Sequence, residues 1–299
     1  MDVMKNEKSI LQKLKNRARV KRLPYQLVLQ LFCQEEFLRR LSESEFKENL
    51  ILRGGLFLYS YNGFEGRPTM DIDFLAKNIS NSQVEMKDVI EKIMKQDGDN
   101  QYIDFMINAV ENITEEKAYH GVRIKMVGII GNTRTPFDID IGIGDVIVPS
   151  INMIEIPTQL DGYRRPVLRS YSLESTIAEK LEAMFSRMET TSRMKDYYDI
   201  YYLAIHYEFE GAVLKAAINE TFSNRKAICE SKSLARIKSM HENEDMSRRW
   251  RVFVRKSLNA DIEFDAVISV VVEFVSKPIE SIEAEVILDE SWNPDTGWK

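Results

Sequence analysis

Cysteine is scarce. Cys33 and Cys229 are the only two in 299 residues, which excludes a disulfide framework and leaves no zinc-type spacing. A reducing cytoplasm is the expected setting. Long apolar runs are missing too. No window approaches about 18 uninterrupted apolar residues, and the opening MDVMKNEKS has no apolar targeting segment. The chain is therefore expected to be neither secreted nor membrane-spanning. His120, His206 and His241 are scattered and form no metal or triad pattern. There is no GxxxxGK[ST], so this is not a P-loop protein. Internal repeats and low-complexity segments are also lacking. A net charge of -6 argues against a surface that coats nucleic acid throughout, but not against a local basic groove.

What remains is ordinary globular material, 44% hydrophobic and 29% charged, long enough for one large domain or two smaller ones. Leu11, Leu14 and Ala18 recur at helical spacing. Leu27, Leu31, Leu38 and Leu41 repeat the pattern after Pro24, until Ser42 and Ser44 break it. Between about 48 and 150 the pattern turns to short apolar runs: Leu50–Leu52, Ile72–Leu75, Val122–Ile130 and Phe137–Ile143, with a helix near 81–95. This predicts an α/β or α+β sheet domain. A connection with Pro149, Pro157 and Pro166 follows, with room for one or two more strands. From Ser172 the chain reads as helical, with segments near 172–188, 193–207, 210–224, 231–258 and 263–276. Ser172, Glu174 and Ser175 supply a helix start. The tail ESWNPDTGWK fits no element. The domains predicted are 1–165, N-terminal helices plus sheet, and 166–299, helical.

Candidate chemistry begins at RGGLFLYSYNGFEGRPTMDIDFL, Arg53–Leu75. Residues i and i+2 of a strand share a face, so Asp71 and Asp73 project together. Such a pair repels itself unless a cation sits between, and a hard divalent ion such as Mg²⁺ suits it. FDIDIGIGD offers Asp138 and Asp140 on one face of a second strand. Were the two strands neighbours, three carboxylates and a nucleotide's phosphates could hold two ions. Each strand pair taken alone also reads as a solvated face. Gly54-Gly55 precedes a short helix, LFLYSY, and would let backbone amides approach an anion. A simple tight turn has the same sequence. Further on, Lys180, Met184 and Arg187 share one helical face. Lys195 with Asp199, and Asp196 with Asp199, fall at helical spacing beyond Thr190-Thr191-Ser192. They read either as a surface ion-pair ladder or as a polar wall with a phosphate-binding lysine. The run KLKNRARVKR, Lys13–Arg22, reads as a solvated helix face or as an RNA contact. Trp250 reads as a packing aromatic between solvated arginines.

Five of these pieces, in this order, resemble the AbiEii/AbiGii toxin family of nucleotidyltransferases. They are Leu50-Ile-Leu-Arg-Gly-Gly-Leu, Arg67-Pro-Thr-Met-Asp-Ile-Asp73, Asp140-Ile-Gly-Ile-Gly-Asp145, Ala178-Glu-Lys-Leu-Glu-Ala-Met184 and Ser192-Arg-Met-Lys-Asp-Tyr-Tyr-Asp199. The lead-in EEFLRRL at 35–41 fits as well. The likeness runs from about 20 to 204, with Trp250 a further echo.

The resemblance implies a polymerase-β-like nucleotidyltransferase fold with a mixed sheet, followed by a helical domain. It implies a toxin–antitoxin or phage-defence role and a separately encoded antitoxin. It also implies transfer of a nucleoside monophosphate from an NTP to a hydroxyl, with tRNA the acceptor in some relatives. By position, Gly54 and Gly55 would lie against the triphosphate. Asp71 and Asp73 would bind Mg²⁺ or Mn²⁺. Asp140 would be the third carboxylate, with Asp138 the fallback. Lys180 would grip phosphate, and Arg193, Lys195, Asp196 and Asp199 would line the nucleotide wall, with Asp199 the preferred essential member. The wider nucleotidyltransferase pattern has Gly-Ser where this chain has Gly54-Gly55, which removes a hydroxyl donor. Ser172 stands where proline is common. The same site would also serve transfer to a protein side chain or adenylylation of a small molecule. A non-catalytic nucleotide- or partner-binding module is the reading from another class.

Overall fold

The structure is a computed structural model that describes residues 6–63, 66–114, 120–258 and 261–299. The first five residues and the His120 side chain lie outside what is described. Chain contacts divide it into two units, residues 1–144 with 152–170, and 145–151 with 171–299.

In the first unit two helices, α1 (Glu7–Lys21) and α2 (Tyr25–Glu43), lead into β1 (Leu50–Arg53) and α3 (Gly54–Asn62). Then come β2 (Asp71–Ala76), α4 (Gln83–Met94), β3 (Asp104–Thr114), β4 (His120–Ile130), β5 (Thr133–Gly142), β6 (Asn152–Glu155) and β7 (Val167–Ser170). The strands form one mixed sheet in the order β3-β4-β5-β2-β1-β7-β6. β2 runs parallel to β5 and β1 parallel to β7, and the other pairs are antiparallel. Period-two alternation makes one face apolar, with Ile72, Phe74, Ile124, Phe137, Ile139 and Ile141 buried. Phe37 of α2 meets Phe105 edge-on, and Phe105 meets Phe137. α2 thus covers that face, and the opposite face carries the charged residues of β2, β4 and β5.

Three features of this unit depart from the sequence pattern. β3 has no counterpart among the predicted runs. Asn108, Glu111 and Asn112 interrupt its alternation, and its register shifts between Ile107 and Ala109. β7 lies beyond the predicted boundary at 165 because Leu52 of β1 pairs with Ser170. Residues 145–151, by contrast, go with the helical unit, where Ser175 Oγ takes the Val148 amide at 2.8 Å.

The second unit comprises α5 (Leu173–Arg187), α6 (Met194–His206), β8 (Phe209–Glu210), α7 (Gly211–Asn224), α8 (Ser231–Lys238), α9 (Glu244–Ser257), α10 (Phe264–Glu283), β9 (Ser291–Asn293) and β10 (Gly297–Trp298). Ser172 caps α5 by accepting from the Ser175 amide at 3.0 Å, so the serine-for-proline change leaves a sound helix entry. The segment 231–258, read as one helix, is two. Asn243 accepts from the Asp245 and Met246 amides and starts α9 afresh, with Glu244 and Asp245 in its first turn.

α10 was expected to stop near 276 but continues through Pro278. Proline lacks the N–H that would reach the carbonyl of residue i-4, here Phe274. The unplaced tail supplies a substitute: Trp298 Nε1 donates to Phe274 O at 3.1 Å. β8, β9 and β10 form a small sheet, and Trp292 and Trp298 both pack on Phe274. Trp298→Phe should therefore cost about 1 kcal/mol in urea unfolding. That cost should shrink in a Pro278→Ala background, where the backbone donor returns. Equal losses in both backgrounds would show that the indole donor does not stand in for the missing amide.

Candidate active site

Four aspartates meet on the open face of the first unit's sheet. Parallel pairing sets Asp71 beside Asp138 and Asp73 beside Asp140. Paired residues on neighbouring strands share a face and lie about 5 Å apart across the strands, with roughly 6–7 Å along each strand. The result is a two-by-two array of half-exposed carboxylates over buried Ile72 and Ile139.

The strand carrying the first pair is held from several sides. Gln30 and Gln34 of α2 both donate to the Met70 carbonyl, the residue before Asp71. Both glutamines are buried, so this contact also satisfies polar groups that α2 takes out of water. Gly54 opens α3 with φ +69°, a backbone that favours glycine, and a Cβ there would overlap the Asp73 carboxylate. A Cβ at Gly55 would overlap Thr69. The glycine pair is thus no generic turn. It brings the start of α3 against Asp73 and against the lead-in to β2.

The next strand, β4, adds two cations to the site that the sequence pattern does not single out. Arg123 and Lys125 of β4 pair with Asp140 and Asp138 and share their face. Arg123 grips both oxygens of Asp140, Nε to Oδ1 at 2.7 Å and Nη2 to Oδ2 at 2.6 Å, and approaches Asp138 at 3.7 Å. Such a fork is the strongest ordinary form of ion pair. Lys125 turns to Glu111 at 2.7 Å. The signal was present in VRIKM as two cations at strand spacing, but it lay inside what reads as an apolar run. Among the described residues no three acidic side chains already converge as a metal cage.

Asp71 and Asp73 make no ion pair among the described residues. The Asp71 pKa is pushed from 3.8 up to about 6, first by burial and then by repulsion from Asp73, Asp140 and Asp138. The Asp138 carboxyl is raised as well, mainly by burial. Hard oxygen donors that repel one another are the donor set a divalent cation fits.

In the second unit Lys180 of α5 lies between two α6 carboxylates. Its Nζ is 2.7 Å from Asp199 and 3.2 Å from Asp196, and Arg193 Nε reaches Asp196 at 2.7 Å. This is no surface ladder, since Lys180, Asp196 and Asp199 are all buried. Burial pushes the Asp196 carboxyl up, but Lys180 and Arg193 outweigh it and hold it below its ordinary value. Met184 is buried with Lys180, whereas Arg187 is half-buried and Lys195 exposed.

The Asp71 shift has a stability consequence. A carboxyl whose pKa rises on folding carries a penalty that is complete above pH about 6, shrinks as the pH falls from there toward 3.8, and is gone below 3.8. Solvent screening at this half-exposed position leaves it of order 1 kcal/mol. Asp71→Asn should stabilise the metal-free protein by about that much at pH 7.5 and not at pH 3.5. Thermal unfolding at the two values checks it, and no stabilisation at pH 7.5 would remove the repulsion argument.

No curated protein matches this chain. Among solved structures, JHP933 from Helicobacter pylori is 15% identical, covering 88% of this chain and 96% of that one with a TM-score of 0.51. A presumed nucleotidyltransferase from Helicobacter pylori is 16% identical, covering 88% and 99% with a TM-score of 0.50. Likeness at this identity speaks for the fold alone. The family described as nucleotidyl transferase AbiEii toxin, type IV toxin–antitoxin system, matches residues 36–270. That span holds the glycine pair, the aspartate array and the Lys180 network, and by it the chain belongs to the AbiEii nucleotidyltransferase toxin family.

Proposed function

We propose that the protein moves a nucleoside monophosphate from an NTP to a hydroxyl of an RNA of the tRNA class. As a toxin it would thereby block translation, or act in phage defence, under the control of a separately encoded antitoxin. The observation that carries the reading is the aspartate array, in which Asp71 and Asp73 make no ion pair among the described residues and Asp73 lies directly against Gly54. Asp71 and Asp73 would hold Mg²⁺, or Mn²⁺, with Asp140 or Asp138 beside them. The bound ion supplies charge neutralisation and orientation for the triphosphate.

The rest falls to the chain's own groups. The amides of Gly54 and Gly55 would face the phosphates at the start of α3. The acceptor oxygen forms a bond to the α-phosphorus, the bond to the bridging oxygen breaks, and pyrophosphate leaves. The hydroxyl proton would pass to Asp140, which the Arg123 fork orients, or to Asp138, opposite Asp71 in the register. Lys180 enters this reading through the family resemblance, and its ammonium is held by Asp196 and Asp199.

The test incubates the protein with Mg²⁺, total tRNA and each labelled NTP in turn, beside Asp71→Ala. Label on RNA that falls at least about a thousandfold in the variant supports the reading. Label on protein instead would move it to protein modification. A bound NTP with no transfer would leave a binding module.

Arg123 gives an independent check on the metal assignment. Its guanidinium competes with any cation for Asp140, so Arg123→Gln should bind Mn²⁺ about five- to tenfold more tightly. Its nucleotide transfer should nevertheless be slower, because Asp140 loses its orienting partner. Electron paramagnetic resonance titration of free Mn²⁺ measures the affinity, and a weaker or unchanged value would count against Asp140 as part of the ion's surroundings.

A further inference from the structure

α1 lies outside residues 36–270, so family membership says nothing about it. Its apolar side, Ile10, Leu14 and Ala18, is buried and packs against α2. Arg17 turns inward, donating from Nε to Gln159 Oε1 at 3.0 Å, and Gln159 in turn donates to the Tyr59 hydroxyl of α3. The helix is therefore fixed to the unit that carries the aspartate array. The remaining cations, Lys8, Lys13, Lys15, Arg19, Lys21 and Arg22, are all exposed. None of them makes an ion pair among the described residues. Elsewhere in this unit several exposed cations are matched, as Lys87 is with Glu91, Lys92 with Asp88 and Lys125 with Glu111, and those that make no ion pair among the described residues, Lys47, Lys95 and Arg134, are far apart in sequence rather than gathered on one helix.

Spacings of seven and four residues bring Lys8, Lys15 and Arg19 onto one ridge, and Arg22, the left-handed residue that caps α1, follows at its C-terminal end. At about 1.5 Å per residue the helical part of the ridge is roughly 17 Å long, the span of about five phosphates along one strand of a duplex. Two basic residues in a last turn are enough to offset a helix dipole. Six unpaired cations on a chain of net charge -6 exceed that need.

We infer that this ridge of α1 is a docking surface for the phosphate backbone of the acceptor RNA. The inference rests on the RNA acceptor of the proposed function. A nucleic acid fits better than a membrane, because a helix lying on lipid inserts its apolar face, and that face of α1 is already buried.

The experiment measures tRNA binding by fluorescence anisotropy across a salt series. It compares the wild type with Lys8→Gln/Lys15→Gln/Arg19→Gln/Arg22→Gln and with Lys87→Gln/Lys92→Gln, which removes matched cations from α4. Glutamine keeps helix propensity, and all six positions are exposed. In the ridge variant the slope of log affinity against log salt should drop by about 3, at roughly 0.7–0.9 per lost phosphate contact. Affinity near 0.15 M salt should weaken at least about thirtyfold. The KM for NTP and the melting temperature should not move, and the α4 variant should bind as the wild type does.

Equal binding by the ridge variant would overturn the inference while leaving nucleotide transfer to RNA intact. Binding that weakens in the ridge variant, in a protein that transfers no nucleotide to RNA, would keep the surface and remove the proposed function. Wild-type protein that ignores tRNA but binds vesicles with one-third anionic lipid would overturn the inference in favour of a membrane surface. Binding to neither would overturn it outright.

Discussion

The register of β5 against β2 is the constraint on which the candidate site depends. Parallel pairing of Asp71 with Asp138 fixes the position of every charge on the open face of the sheet. A slip of one residue would turn Asp138 and Asp140 into the core and Ile139 outward. The apolar side forbids that slip, because Phe137, Ile139 and Ile141 are buried under the helical layer. Hydrophobic burial, worth about 1.5–3 kcal/mol for each large side chain, thus holds together four carboxylates that repel one another. The same logic extends to β4, where burial of Ile124 and Met126 commits Arg123 and Lys125 to the charged face.

Much of this was legible in the sequence, and the limits were physical. Alternation is a local property, so MDIDF and FDIDI each announced a same-face pair. Adjacency and register are not local, and only the sheet decides that Asp73 meets Asp140 and that Arg123 takes it. The glycine pair could be read as a close approach, but its partner could not. Asp73 is 19 residues beyond Gly54 in sequence, and the two meet through antiparallel pairing of Arg53 with Asp73. β3 escaped because an interrupted alternation with a register shift leaves little periodicity to find. The break between α8 and α9 had a readable cue in Asn243 followed by two acids, a standard helix start. The passage of α10 through Pro278 had none, because the donor that makes it tolerable comes from Trp298, twenty residues later.

The helical layer also shows what positioning the array requires. α2 is buried almost all round, including Gln30, Gln34, Glu35, Glu36 and Arg39. Polar groups so placed destabilise unless they are bonded. Gln30 and Gln34 meet part of that need at the Met70 carbonyl, Glu36 at Arg39 and Arg40, and Glu35 at the Gln159 amide, while Gln34 Oε1, Glu35 Oε1 and Arg39 Nη2 have no hydrogen-bond partner among the described residues. Even so, burial pushes the Glu35 carboxyl up to about 7. A core built only for stability would use apolar residues at these positions. Part of this polar stripe ends at the backbone beside Asp71, so it serves alignment of that strand.

Two clusters of aspartates stand among the described residues, and they handle the same electrostatic problem in opposite ways. Asp196 and Asp199 are buried, yet Lys180 and Arg193 answer them closely enough to hold the Asp196 pKa below its ordinary value. Removing one partner from such a network strands a buried charge, at about 3–5 kcal/mol. A lost activity in a Lys180 variant therefore has a stability explanation to be separated first. Asp71 and Asp73 are less buried but make no ion pair among the described residues, and the pKa of Asp71 rises because burial and its neighbouring aspartates outweigh Arg123. A cluster whose charges are already matched inside the fold can be structural in full. One that keeps its repulsion, and is held to it by a glycine against Asp73 and two glutamines behind Asp71, carries a cost that protonation or a cation from outside would relieve. That contrast, more than the Asp-x-Asp spacing, is what favours the proposed metal-binding array over a solvated strand face.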